Sequence, residues 1–240
     1  MRIVVDARTD VGMVRDRNED CVVVGASILQ ATRGRLQDIG SSPPLVIAVL
    51  DGMGGHARGA LASRTAAQAA VDATLHRAQG QMVDPVALVN NSNQAVHAEM
   101  VRSGADGMGT TFVGLIIEEQ AARVVNAGDS SAYRVEDDYL IEQTSPHRGM
   151  NGGLTTCLGG TTTLVEVDAD VTTLRTLEPG ARFLLCSDGL TDVVAPAHVE
   201  EILVTERSGV ADRLIAAALE EGAPDNVTVV VVDVFGDVEG

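Results

Sequence analysis

Asp51 follows directly on the apolar run Leu45-Val46-Ile47-Ala48-Val49-Leu50 and opens the stretch Asp51-Gly52-Met53-Gly54-Gly55-His56. A run of branched aliphatics of this length reads as a strand covered on both faces, so a carboxylate is delivered to the mouth of a buried layer. The glycines behind it let the backbone turn sharply and approach a ligand closely. Alone, the stretch fits a metal or phosphate site or a plain Asp-Gly turn. The arrangement recurs, however: Phe183-Leu184-Leu185-Cys186-Ser187 leads into Asp188-Gly189, and Asp225-Asn226 opens onto Val227-Thr228-Val229-Val230-Val231-Val232. Three partly desolvated carboxylates held together must be protonated, paired with cations or bound to metal. Few cations lie near them in the sequence, and a divalent metal ion is the natural resolution.

The elements that must position these groups follow from periodicity. Ile3–Thr9 and Cys21–Val24 read as strands joined by a loop that carries Arg15, Arg17, Asn18, Glu19 and Asp20, which offers two more carboxylates and a phosphate-holding arginine. Residues 25–44 read as an exposed connection. An alanine-rich helix is expected from His56 to about residue 78, with Ala62, Ala66, Ala69 and Ala73 on one face and Arg64, Gln68 and Asp72 opposite. Asp84-Pro85 reads as a cap and first-turn proline for a second helix, with Val89, Val96 and Met100 on one face and an end near Ser103-Gly104. Strands at 110–117, 121–126 and 131–135 read as an antiparallel meander, with Gly128-Asp129-Ser130 between the last two. Further strands are expected at 140–143, 163–171, around Phe183 and at 227–234, with helices at 196–206 and 210–221. This order suits a layered antiparallel α/β sandwich better than alternating parallel units, and 1–240 reads as a single domain.

Composition narrows the partners. The 240 residues carry a formal net charge of -17 without a basic cluster, which argues against nucleic acid as a partner. The core must be built of aliphatics, since aromatics are 2% and Trp is absent. Cys21, Cys157 and Cys186 are widely spaced and read as buried thiols in a reducing compartment. No apolar stretch approaches the roughly 18 residues of a membrane span, so no membrane partner and a cytoplasmic location are expected.

Taken together, the motifs resemble the metal-dependent Ser/Thr protein phosphatases of type 2C, the PPM family, in their compact bacterial form. The resemblance rests on the 10–20 segment with Arg15, Asn18, Glu19 and Asp20, on Asp51-Gly52-Met53-Gly54-Gly55-His56, on Gly109-Thr110-Thr111, on Gly128-Asp129-Ser130, on Cys186-Ser187-Asp188-Gly189-Leu190 and on Pro224-Asp225-Asn226-Val227-Thr228. It implies two packed antiparallel sheets flanked by helices and a centre of two Mn²⁺ or Mg²⁺ ions. Asp51 would bridge both ions, and Asp188 and Asp225 would complete the first. The Gly52 carbonyl joins the second, with Glu19 and Asp20 acting on it directly or through waters. Asp129, with Asp188, would hold a third, weaker ion, and Arg15 would hold the phosphate. All-oxygen ligands suit hard Mg²⁺ or Mn²⁺. The implied activity is hydrolysis of phosphoserine and phosphothreonine by a monomer, with phosphorylated proteins and a Ser/Thr kinase as its partners.

The chain departs from the family pattern at Ala60, where an acidic residue is usual, at Ser131, where an arginine is usual, and at Thr144-Ser145-Pro146-His147, where Thr-x-Asp-His is usual. Met53 takes the position of the acid histidine proposed for eukaryotic members. The flap before Leu154-Thr155-Thr156-Cys157-Leu158-Gly159 is reduced to a short loop. These departures keep a second reading open, in which the chain is a non-catalytic regulator that binds a phosphoprotein or partner without turnover.

Overall fold

In the computed structural model, the structure describes residues 1–41, 43–54, 58–76, 81–119, 121–174, 177–206 and 208–236. The chain runs through β1 (Arg2–Asp10), β2 (Cys21–Val24), β3 (Ser27–Leu29), β4 (Arg33–Ser41), β5 (Leu45–Leu50) and β6 (Gly52–Met53), then helices α1 (Arg58–Leu75) and α2 (Pro85–Ser103). There follow β7 (Gly109–Thr110), β8 (Phe112–Ile117), β9 (Ala122–Ala127), β10 (Ser131–Glu136), β11 (Tyr139–Glu142), β12 (Leu158–Gly159), β13 (Asp170–Leu174) and β14 (Arg182–Cys186). Helices α3 (Asp188–Thr191), α4 (Pro196–Thr205) and α5 (Val210–Glu220) precede β15 (Val227–Phe235).

Two six-stranded antiparallel sheets, β11-β10-β14-β15-β1-β4 and β13-β9-β8-β5-β2-β3, pack face to face, and a small sheet β12-β7-β6 stands beside them. The period-2 alternation of strands explains how one apolar run serves two cores. In β5, Leu45, Ile47 and Val49 enter the core between the sheets, whereas Val46, Ala48 and Leu50 meet α1 and α2. Likewise in β15, Val230, Val232 and Val234 face the other sheet, and Val227, Val229 and Val231 meet α3, α4 and α5. The result is the expected α-β-β-α sandwich. Asp84 caps α2 by accepting the N–H groups of Val86 and Ala87, and Gly104 closes the helix in the left-handed region, which glycine enters without steric cost. Val89, Val96 and Met100 are buried on its inner face. In α1 the buried stripe is Gly59, Ala62, Ser63, Ala66, Ala67, Ala70 and Val71, so Ala69 and Ala73 fall at its margin. No helix among the described residues is long and apolar enough to cross a membrane.

Four expectations are corrected. Residues 25–44 are not a bare connection but carry β3 and β4. The latter is a polar edge strand on β1, exposed at alternate positions, which hides its periodicity in the sequence. The three strands from 110 to 135 do not form one meander: β8 and β9 pair with each other, whereas β10 crosses to the other sheet and pairs with β14. Residues 163–169 form no strand, because side chains take the place of a ladder: Asn93 donates to Val165 O at 2.8 Å, and Asn90 both donates to Val167 O and accepts from Val167 N. Cys157 is half-buried rather than buried, and all three thiols are free.

The crossing between sheets matters for the site. Antiparallel pairing places the ends of β5, β9 and β14 and the starts of β2 and β15 at one edge of the sandwich. Asp51, Asp129, Asp188, Asp20 and Asp225 are the residues at or just beyond those ends.

Candidate metal centre

The backbone around Asp51 is fixed by the threonine pair that precedes β8. Asp51 N donates to Thr111 Oγ1 at 2.9 Å, while Thr111 N and Thr110 Oγ1 both donate to Asp51 O at 2.9 Å. Gly52 has no room for a side chain: a Cβ there would lie 2.3 Å from Gly59 O and 2.5 Å from Glu19 O. Gly59 is constrained in the same way, since its Cβ would meet Glu19 Oε2 at 2.4 Å. The start of α1 is therefore pressed against the backbone that joins the loop and the Asp51 turn.

Asn226 organises the 10–20 loop. Its amide donates to Val11 O at 3.0 Å and Arg17 O at 2.9 Å, and its Oδ1 accepts Glu19 N at 2.8 Å. Asn18 ties the same loop to Thr9 Oγ1 and Ala31 O. Ser187 and Thr228 both donate to Asp20 Oδ2, at 2.9 and 2.6 Å. Asn18, Asn226 and Thr228 are thus the parts of the motifs that position carboxylates rather than present them.

Arg15, Glu19, Asp51, Gly52, Asp129, Asp188 and Asp225 line one open cleft of about 780 Å³. Asp20 is fully buried behind it. Burial dominates the protonation of these groups. Desolvation, then the charges of Asp20, Asp188, Asp225 and Asp129, raise Asp51 well above the ordinary carboxylate range. Desolvation pushes Asp20 up to about 7 against the hydrogen bonds from Thr228 and Ser187. Desolvation and the neighbouring Asp129 and Asp192 carboxylates push Asp188 up to about 6, with Arg148 opposing. Glu19 is raised by burial, and Arg15 partly offsets this.

Two guanidiniums stand among the carboxylates. Arg15 Nη2 donates to Asp225 Oδ2 at 2.5 Å. Arg148, which the sequence reading did not single out, donates from Nε to Asp129 Oδ2 at 2.7 Å and from Nη2 to Asp188 Oδ2 at 2.6 Å. Only its neighbourhood in space gives Arg148 away, because it lies 19 residues from Asp129 and 40 from Asp188. With these arginines in place, no three Asp, Glu, His or Cys side chains among the described residues converge on one point as metal ligands do.

The residues nonetheless fit a hard divalent ion. Glu19 Oε1 and Asp20 Oδ1 are buried without a hydrogen-bond partner, and an unpartnered buried carboxylate oxygen is costly unless a cation takes it up. The carboxylates facing the cleft offer oxygen donors, which suit Mg²⁺ or Mn²⁺.

The departures from the family pattern have structural partners. The backbone N–H of Ala60 hydrogen-bonds Glu19. Ser131 is buried and donates to Glu142 at 3.3 Å. Nδ1 of His147 accepts Gly128 N at 3.2 Å while its Nε2 meets Asp170 at 3.0 Å, so it braces the turn before Asp129. Met53 is half-buried in β6 and lines the cleft, where a thioether has no proton to give. His56 lies outside the described residues.

Comparison with known proteins agrees with the fold and the motifs. Residues 36–221 match the protein phosphatase 2C family. The chain is 33% identical over 246 residues to the serine/threonine protein phosphatase PstP of Mycobacterium tuberculosis, covering 95% of this chain and 44% of that protein. It thus spans less than half the length of that relative. It is 32% identical to the serine/threonine phosphatase stp of Listeria innocua, covering 94% of each. Among solved structures, it resembles the catalytic domain of the phosphatase PstP in complex with two manganese ions, with a TM-score of 0.75 and 31% identity over 98% of this chain and 100% of that one.

Proposed function

The chain belongs to the protein phosphatase 2C family, and from that premise we propose that it is a metal-dependent phosphatase that hydrolyses phosphoserine and phosphothreonine in proteins. The observation that carries this reading is the gathering of Glu19, Asp51, Asp129, Asp188 and Asp225 with Arg15 around one open cleft. The names of the relatives and the manganese pair reported for the PstP catalytic domain support it. The pairing of the first strand β1 with the last strand β15 supports reading 1–240 as one catalytic domain.

Asp51, Asp188, Asp225, the Gly52 carbonyl, Glu19 and Asp20 would hold two Mn²⁺ or Mg²⁺ ions. Bound there, such a pair supplies charge compensation on the phosphoryl oxygens and lowers the pKa of water into the neutral range. The protein's own part is geometric. Thr110 and Thr111 fix the backbone from which Asp51 projects, and Ser187 and Thr228 hold one oxygen of Asp20, leaving Oδ1 for a cation or its water. Arg15, which pairs with Asp225 in the metal-free chain, would face the phosphate when Asp225 serves the metal pair, and its planar fork matches the phosphoryl oxygens in pairs.

The test is hydrolysis of p-nitrophenyl phosphate and of a phosphothreonine peptide, with Mn²⁺ and after chelation. Turnover of both substrates only with metal is expected. Mn²⁺ binding without turnover of either would replace this reading with that of a non-catalytic regulator.

A further inference from the structure

Arg148 lies between carboxylates that two segments bring together: Asp129 from the β9–β10 turn, and Asp188 and Asp192 from the start and end of α3. We propose that Arg148 is a built-in cation that takes the place of a further divalent ion among these carboxylates, so that part of their charge is compensated by the chain itself. The inference rests on the two-ion reading above and concerns its outer side. Where the sequence resemblance implies a third ion between Asp129 and Asp188, a guanidinium spans the two at 2.7 and 2.6 Å, with Asp192 at 3.5 Å.

Three carboxylates so placed repel one another unless a positive charge stands between them. An arginine meets that need permanently, because it stays protonated and its Nε and Nη2 donors fit two acceptors in one plane. A divalent ion meets it only while its concentration exceeds its dissociation constant.

The fold holds Arg148 to this task. His147 N donates to Gly128 O at 2.9 Å, and Gly128 N donates back to the His147 ring, so the residue before Arg148 is fastened to the turn that carries Asp129. Beyond it, Gly149 N donates to Gly153 O and Thr155 N to His147 O, both at 2.8 Å, and Arg148 pairs with Leu154 in an antiparallel bridge. The shortened loop is thus a tight hairpin clamped at the place from which a guanidinium reaches both aspartates. Arg148 stands outside the cleft lining whereas Asp129 and Asp188 belong to it, so it acts through them as a positioning residue. Asp188 gives Oδ2 to Arg148, and its other oxygen remains for the inner pair.

The test counts ions by Mn²⁺ calorimetry on the purified chain, its R148Q, R148K and D129N variants, and the R148Q/D129N double variant. Relative to wild type, R148Q should gain one weak site, R148K should gain none, and R148Q/D129N should lose the gained site again. D129N alone should leave the count unchanged, because Asp129 is occupied by Arg148 and not by metal. Equal counts for R148Q and wild type would overturn the inference, as would an ion lost in D129N, an arm that does not depend on R148Q folding. Fewer than two ions on the wild type would instead sink the two-ion reading, whereas this inference turns on differences between variants.

Discussion

Nη2 of Arg15 lies 2.5 Å from Oδ2 of Asp225 and so joins the loop before β2 to the residue that leads into β15. Both side chains are well exposed, at 55% and 39%, and pairs of this kind contribute about 0–1 kcal/mol. A divalent ion can therefore take Asp225 from Arg15 at little cost and leave the guanidinium for the substrate. Arg15→Ala should lower kcat/KM for p-nitrophenyl phosphate by about 10²–10³, the effect of removing one preorganised donor, with Mn²⁺ affinity equal to or above that of wild type. Unchanged kcat/KM would remove Arg15 from phosphate binding.

Asp51→Asn and Asp188→Asn test the carboxylates directly. Both groups are held in a partly desolvated cluster whose charges oppose one another, so a neutral amide should relieve repulsion in the metal-free protein while weakening the hold on a cation. Turnover should be lost and the melting temperature in chelator should rise. Activity within tenfold of wild type at saturating Mn²⁺, in either variant, would be incompatible with their assigned role.

The sequence carried the strand ends better than the strand partners. Asp51, Asp188 and Asp225 could be placed because each abuts an apolar run that reads as buried, and all three runs are strands with buried interiors. The edge strand β4 escaped notice because an exposed edge has no apolar stripe to read. The crossing of β10 to the other sheet was equally hidden, since local periodicity does not say which strand a neighbour will choose. Arg148 was missed for a related reason: its partners Asp129 and Asp188 become neighbours only when the two sheets meet.

Gly59 gives a steric test of the Glu19 position. A Cβ there would come within 2.4 Å of Glu19 Oε2 and 2.7 Å of the Gly52 backbone, and the backbone neighbour cannot yield. In an open helix, Gly→Ala would stabilise by about 1 kcal/mol. Here Gly59→Ala should lower the melting temperature and cut turnover at least tenfold, because it pushes Glu19 off its place. A stabilised, fully active variant would mean that Glu19 tolerates displacement.

The raised carboxylates set the pH dependence of the metal-free protein. Asp20, pushed up to about 7, and Asp188, pushed up to about 6, start from an ordinary 3.8 in the unfolded chain. Across that interval the folded state binds more protons than the unfolded one, so the contribution is fully present below pH 3.8 and is lost as pH rises through 6 to 7. Calorimetry in chelator should show the melting temperature falling from about pH 5 to pH 8. Asp20→Asn should flatten the fall relative to wild type, and Mn²⁺ should restore stability at the upper end. A fall as steep in Asp20→Asn as in wild type would assign the loss to other groups.

The short loop from 144 to 153 should leave the cleft little selectivity of its own. It is folded back on itself by the Gly149–Gly153 and His147–Thr155 backbone bonds, and of the residues from 144 to 159 only Leu154 lines the cleft. Val14, which also lines the cleft, is 69% exposed, so a substrate would meet a shallow opening with few fixed partners beyond the phosphate. Binding energy from remote contacts can orient the reacting group and discriminate among substrates, and a site without such contacts has little to draw on. Small aryl phosphates should be hydrolysed efficiently, and phosphopeptides of varied flanking sequence should differ little from one another, which leaves selection among protein substrates to surfaces away from the cleft. The measurement is kcat/KM across such a panel, with p-nitrophenyl phosphate as reference. A spread above about a hundredfold, roughly 2.7 kcal/mol of differential transition-state binding, would mean that the chain reads flanking residues closely despite the short loop.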